Sequence, residues 1–188
     1  MKSNRQLAVW LLLWLAQSAM GQPAQVILLR HAEKSDDPAD VHLTARGRER
    51  AQALVALLGR GSKLTRDAPV AALYATRITK HDHSYRTGET LAPSGQDLSL
   101  PVDTRYETDE YRRLAVAVMS QPAYHGKTVI ICWTHHNMAQ FAAALGVSPP
   151  PPAWKNKVFD RLWVITWAGA QAEWRELPQR LLPGDTNR

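Results

Sequence analysis

The sequence predicts an α/β fold, a three-layer sandwich with a mostly parallel central sheet, and three observations carry that expectation. Four short apolar segments rich in β-branched residues run almost without polar interruption, which suits strands buried on both faces of a sheet. Between them, apolar residues recur at helical spacing. Two of the apolar segments also run straight into arginine or histidine, at the edge where open parallel sheets hold their ligands.

In chain order, residues 25–29 read as the first strand. Ala51, Leu54, Val55 and Leu58 then repeat at i, i+3, i+4, i+7 behind Thr44 as an N-cap, and Gly59 closes that helix. Residues 70–75 form the second strand, 109–119 a helix candidate, and 128–133 the third strand. Met138, Phe141, Ala142 and Leu145 repeat the helical pattern behind Asn137 as N-cap and ahead of Gly146. The four prolines 149–152 can continue neither a helix nor a central ladder, so they read as a stiff surface loop leading to a last strand over 162–167. With no internal repeat and no linker, residues 22–188 are expected to form one domain.

Composition narrows the class. The chain has 188 residues, 45% hydrophobic and 21% charged, which excludes disordered, collagen-like and coiled-coil classes. Lys2 and Arg5 precede an unbroken apolar run over 7–16, followed by small and polar residues. A spanning helix needs about 20 apolar residues, so the run suits a secretory signal peptide better than an anchor. Cleavage before Gln22 would remove residues 1–21, leaving 21 Lys+Arg against 17 Asp+Glu and a charge of +4. That is too mild and too evenly mixed to argue for nucleic acid. The expected product is periplasmic or secreted, with no stable membrane insertion. Its single cysteine, Cys132, lies inside an apolar run and reads as a buried core thiol.

The chemistry is expected where strands end. Residues 26–29 lead into Arg30-His31, and residues 129–133 lead into Thr134-His135-His136-Asn137. If those strands are parallel neighbours, two imidazoles and a guanidinium meet at one sheet edge. Fixed cationic donors are what a phosphoryl group in transfer requires, because its charge is spread over its oxygens. A neutral imidazole is also a competent phosphoryl acceptor. A metal-dependent hydrolase is the competing class: His81, Asp82, His83, His135, His136 and Asp109 offer ligand types, though at no known ligand spacing. Adjacent histidines on an extended chain would moreover point to opposite faces.

The segment Arg30-His31-Ala32-Glu33-Lys34 after an apolar strand resembles the signature of the histidine phosphatase, or phosphoglycerate mutase-like, superfamily, and in particular its small bacterial branch. Further similarities follow in order: Leu43-Thr44-Ala45-Arg46-Gly47 with Ala51-Gln52, Arg86-Thr87-Gly88-Glu89-Thr90, residues 128–137, and Phe159-Asp160-Arg161-Leu162. The resemblance implies a phosphoglycerate mutase-like fold and a metal-independent phosphomonoesterase without cofactor, acting on a small phosphate ester or phosphorylated sugar. It implies that His31 becomes phosphohistidine, that Arg30 and Arg86 clamp phosphate oxygens, and that His135 donates to the transferring group. Glu33, Lys34, Thr44 and Asn137 are then expected around the substrate.

Departures from the family pattern leave alternatives. Thr134 stands where glycine is usual. An insertion carrying Lys80, His81, Asp82 and His83 makes Arg77 or Lys80 a rival to Arg86. Glu107 is the first choice for the general acid, ahead of Asp109, Glu110 and Glu33. A chain of this length leaves little room for the lid a mutase needs, which favours phosphatase over mutase. A non-catalytic phosphate binder of the same fold is the further alternative. Trp133, Trp154 and Trp163 are expected to pack in the core rather than stack on a sugar.

Overall fold

A computed structural model describes residues 22–169 and 171–186. The expected leader, residues 1–21, lies outside them. Six strands form one sheet: β1 Gln25–Arg30, β2 Val70–Thr76, β3 Val102–Tyr106, β4 Thr128–Trp133, β5 Arg161–Ala168 and β6 Gln171–Pro178, in the order β3-β2-β4-β1-β5-β6. The pairs β1–β4, β2–β4 and β2–β3 are parallel, and β5 runs antiparallel to both β1 and β6. Helices α1 (Ala45–Ala53), α2 (Val55–Leu58), α3 (Arg86–Leu98), α4 (Tyr111–Ser120) and α5 (Met138–Ala144) complete the three layers.

Alternation along the strands divides the core in two. Val26, Leu28, Val129, Ile131 and Trp133 pack on one face against Leu114 and Val118 of α4 and Met138 and Phe141 of α5. Ile27, Leu29, Ile130 and Cys132 pack on the other against Leu54, Leu58 and Leu91, from the α1–α2 segment and α3. Because β1 and β4 are covered on both faces, each of their residues is buried. Cys132 is fully buried, and Trp133, Trp154 and Trp163 are core residues.

Two strands and one helix escape the apolar signal. β3 and β6 are the sheet's edges, where exposed polar residues such as Thr104, Arg105, Glu173 and Arg175 interrupt any apolar run. α3 contains Pro93 and Gly95, poor helix formers, and holds because Thr90, Leu91, Ser94 and Gly95 are buried beneath it. Gly95 is needed there, since an added Cβ would lie 2.9 Å from the Leu100 carbonyl oxygen. The predicted helix over 109–119 is divided into a 3₁₀ turn, Thr108–Glu110, and α4. Gly59 ends α2 in extended backbone; a Cβ there would meet the Asp97 carboxylate at 2.5 Å, so it serves close approach rather than a left-handed turn.

Candidate active site

The parallel pairing of β1 with β4 runs from Gln25↔Thr128 to Arg30↔Trp133, so His31 and Thr134 leave the sheet side by side. α3 is fastened over this edge by threonines. Thr87 Oγ1 lies 2.7 Å from Thr76 Oγ1 at the end of β2. Thr90 Oγ1 accepts from the Ala32 amide at 2.9 Å and donates to the Arg86 carbonyl at 2.7 Å. The start of α3, with Arg86, is thereby tied to the segment that carries His31. Arg86 itself donates to the backbone oxygens of Asp40 and His42.

His31 is 5% exposed. Its Nδ1 lies 2.7 Å from the Ala32 carbonyl oxygen. A carbonyl only accepts, so Nδ1 carries the proton and Nε2 keeps its lone pair. Burial pushes the imidazole pKa down to about 3, against the pull of the Ala32 carbonyl, and the positive fields of Arg30 and Arg86 and the nearby His135 lower it further. The ring is therefore neutral, as a nucleophile must be.

Arg30 is 1% exposed. Its Nη1 donates to the carbonyls of Asn156 and Val158, and the Phe159 ring centroid lies 4.2 Å from its guanidinium carbon. Nε and Nη2 are buried with no hydrogen-bond partner. Those two N–H groups form one edge of the planar fork, the edge that grips a phosphate bidentately. Among the described residues no carboxylate pairs with Arg30; burial and then Arg86 lower its pKa to about 10. Two unmet donors on a buried cation call for an anion.

His135 opens a 3₁₀ turn, His135–Asn137, rather than continuing an extended chain. The adjacent rings of His135 and His136 are consequently brought to 3.8 Å between centroids instead of facing apart. Burial, then Arg30, His136 and Lys34, lower the His135 pKa to about 4, so it too is neutral and can donate through one nitrogen. The charges of Arg30 and Arg86 and the His135 imidazole all act on His31.

Other candidates are committed elsewhere. Glu33 is turned to buried Arg50, which donates from Nε at 3.0 Å and from Nη2 at 2.7 Å, and Arg46 lies 3.4 Å away. Thr44 caps α1, accepting from the Gly47 amide at 3.1 Å and donating to the Glu33 carbonyl at 3.2 Å. Asn137 makes no cap for α5; its Nδ2 donates to the Thr108 carbonyl at 2.9 Å. The polar contacts of these three are to framework groups: Arg50 for Glu33, the Gly47 amide and Glu33 carbonyl for Thr44, and the Thr108 carbonyl for Asn137. Lys34 bonds the Ser35 carbonyl at 2.9 Å while its charge reaches His135.

Arg77 is exposed, donates to the Arg105 carbonyl at the β3 edge and lies 3.6 Å from Glu107. Lys80 is exposed, its carbonyl facing His83 at 2.6 Å. The positive charge of Arg86, by contrast, acts on His31. Of the acids, Glu110 accepts from the Glu107 amide and from Arg113, contacts that lower its pKa and hold it ionised. Asp109 is exposed. Glu107 follows β3 at the same edge of the sheet, half-exposed, 3.6 Å from Arg77 and paired with Glu110 in a capping box at the start of the 3₁₀ turn.

The backbone of residues 156–158 and the ring of Phe159, which hold Arg30, had no signal in sequence beyond the similarity of Phe159-Asp160-Arg161. Arg50 was equally hidden: it is 2% exposed and bridges Glu33 to Asp185 near the C-terminus. Among the described residues no three His, Cys, Asp or Glu side chains are grouped as metal ligands.

The chain has the phosphoglycerate mutase-like fold, which it shares with several solved phosphatases. A protein of Escherichia coli described as an α-ribazole-5'-P phosphatase superimposes with a TM-score of 0.55 at 16% identity, covering 86% of this chain and 98% of that one. A mycobacterial glucosyl-3-phosphoglycerate phosphatase, solved with inorganic phosphate, gives 0.54 at 14% identity over 82% and 95% of the two chains. The α-ribazole phosphatase of Shigella flexneri gives 0.53 at 16% identity over 86% and 100%. No family model matches the sequence, and no curated protein matches it.

Proposed function

We propose that this chain is a histidine phosphatase, an exported phosphomonoesterase that works through a phosphohistidine at His31. The single observation that carries the reading is the unpaired Nε–Nη2 edge of buried Arg30 beside a neutral, Nδ1-protonated His31. A shared fold with phosphatases supports it.

In the first step His31 Nε2 attacks phosphorus in line, and the bond from phosphorus to the ester oxygen breaks. Arg30 and Arg86 hold the non-bridging oxygens, and His135 donates to one as charge develops. Glu107 gives its proton to the departing alkoxide. In the second step Glu107, now ionised, takes a proton from water, whose oxygen displaces Nε2 and releases inorganic phosphate. No metal takes part in this scheme. The substrate is a small phosphate ester or phosphorylated sugar, and residues 1–21 act as the export leader.

Purified protein lacking residues 1–21, assayed on a panel of phosphate esters with and without EDTA, tests the reading. Turnover insensitive to EDTA and absent in His31→Ala is expected; undiminished turnover in His31→Ala overturns it. A phosphate binder without catalysis would bind inorganic phosphate but hydrolyse nothing on the panel.

A further inference from the structure

Unmet buried polar atoms are rare in folded proteins, and each asks for an explanation. Among the described residues the side-chain atoms in this condition are Arg30 Nε, Arg30 Nη2, Ser94 Oγ, Thr134 Oγ1 and Arg161 Nη1. Three of them come from Arg30 and Thr134, at the ends of two adjacent parallel strands. The Arg30 atoms have found their role as a phosphate fork; the Thr134 hydroxyl has none.

Its position is fixed by the sheet. Thr134 has extended backbone, φ −82° and ψ 139°, so the pleat of β4 continues one residue past Trp133. Alternation puts its side chain on the face of Ile130 and Cys132, which is also the face of Ile27 and Leu29 and hence of the next odd position, His31. Register extended by one residue from Arg30↔Trp133 sets Thr134 beside His31, on neighbouring backbones about 4.8 Å apart. The same face carries Thr90, bonded to the Ala32 amide and the Arg86 carbonyl.

We propose that Thr134 Oγ1 donates a hydrogen bond to a non-bridging oxygen of the phosphoryl group on His31, adding a neutral donor to the cationic ones. This rests on the proposed function and deepens it. Glycine at this position would let the backbone approach; threonine instead supplies a hydroxyl whose χ1 is stiffened by its β-branch. The donor requires no proton transfer, because the hydroxyl keeps its hydrogen throughout both steps.

Thr134→Val keeps the shape and removes only the donor, while Thr134→Ser keeps the donor and removes a methyl group. With p-nitrophenyl phosphate as substrate, Thr134→Val is expected to lose about 10- to 100-fold in kcat/KM, in line with a hydrogen bond to a charged group. Orthovanadate, which mimics the five-coordinate phosphorus, should weaken as an inhibitor by a similar factor. Thr134→Ser should stay within about threefold of the parent on both counts. The melting temperature of Thr134→Val should equal or exceed the parent's, since an unmet buried hydroxyl has been replaced by carbon.

Wild-type kcat/KM and vanadate inhibition in Thr134→Val overturn the proposal. So does a loss accompanied by a lowered melting temperature and not restored in Thr134→Ser, which would mark a packing role. His31→Ala measured in parallel separates the two levels: an inactive His31→Ala beside an unaffected Thr134→Val sinks this inference alone, whereas an active His31→Ala sinks the parent reading.

Discussion

Replacing Arg30 by lysine removes the fork and keeps the charge. In the folded protein the guanidinium is held by Nη1 to the carbonyls of Asn156 and Val158 and by the Phe159 ring, leaving Nε and Nη2 for the anion. A charge-assisted hydrogen bond contributes about 1.5–3 kcal/mol. Lysine can restore at most one of the two as a point charge, so a net deficit of about 1.5–3 kcal/mol is expected, or about 10- to 100-fold in kcat/KM at about 1.4 kcal/mol per decade. Melting with and without inorganic phosphate supplies a second reading. At 100 times its Kd, phosphate stabilises the parent by about 2.7 kcal/mol, which for a domain of this size is about 5–10 °C. Arg30→Lys should lose most of that shift while its phosphate-free melting stays close to the parent's. An Arg30→Lys protein within about threefold of the parent in kcat/KM, with an undiminished phosphate shift, would refute the assignment of the fork.

Further expectations concern the remaining groups. His135→Ala should lower kcat about 10²- to 10³-fold, the range for one oxyanion donor, as measured in steady state on p-nitrophenyl phosphate. Because His31 and His135 are depressed to about 3 and about 4, the acid limb that the imidazoles give kcat/KM should lie at about 4 and below, while loss of the proton that Glu107 donates gives a separate basic limb; an imidazole acid limb centred near 6.5 contradicts this. Asp185 is held well below the usual carboxylate range, first by Arg50 and then by the Leu181 and Leu182 amides. A depressed folded pKa gives stability that is present above the unfolded value and lost as pH falls toward the folded one. Asp185→Asn should therefore lower stability at pH 7 by about 1–3 kcal/mol in urea titrations, and the gap should close in acid. Gly47→Ala would set a Cβ 2.3 Å from the Glu33 carbonyl oxygen, displacing the segment after His31, and activity should drop with melting temperature.

What was readable in the sequence follows the physics of each element. β1 and β4 declare themselves because burial on both faces makes every position apolar. Their direct continuation into Arg30-His31 and Thr134-His135 made the cluster legible once the two were supposed parallel, as they are. β3 and β6 are edges and pay no such compositional toll, so Val102–Tyr106 and Gln171–Pro178 look like loop. The framework contacts of Glu33, Thr44 and Asn137 are not legible in the sequence, because a polar residue near the nucleophile looks the same whether it faces substrate or a framework partner. Only the fold reveals Arg50, the Gly47 amide and the Thr108 carbonyl as those partners. The hold on Arg30 from Asn156, Val158 and Phe159 spans more than a hundred residues and involves backbone carbonyls, which carry no side-chain signature.

The central claim is that phosphorus bonds covalently to the His31 imidazole during turnover. Rapid quenching into alkali during hydrolysis of a labelled phosphate ester, followed by peptide mapping, tests it directly. An alkali-stable, acid-labile label on the peptide containing His31, absent from His31→Ala, is the predicted result. Active enzyme that carries the label on another residue, or turns over in the His31→Ala form without any, would contradict it.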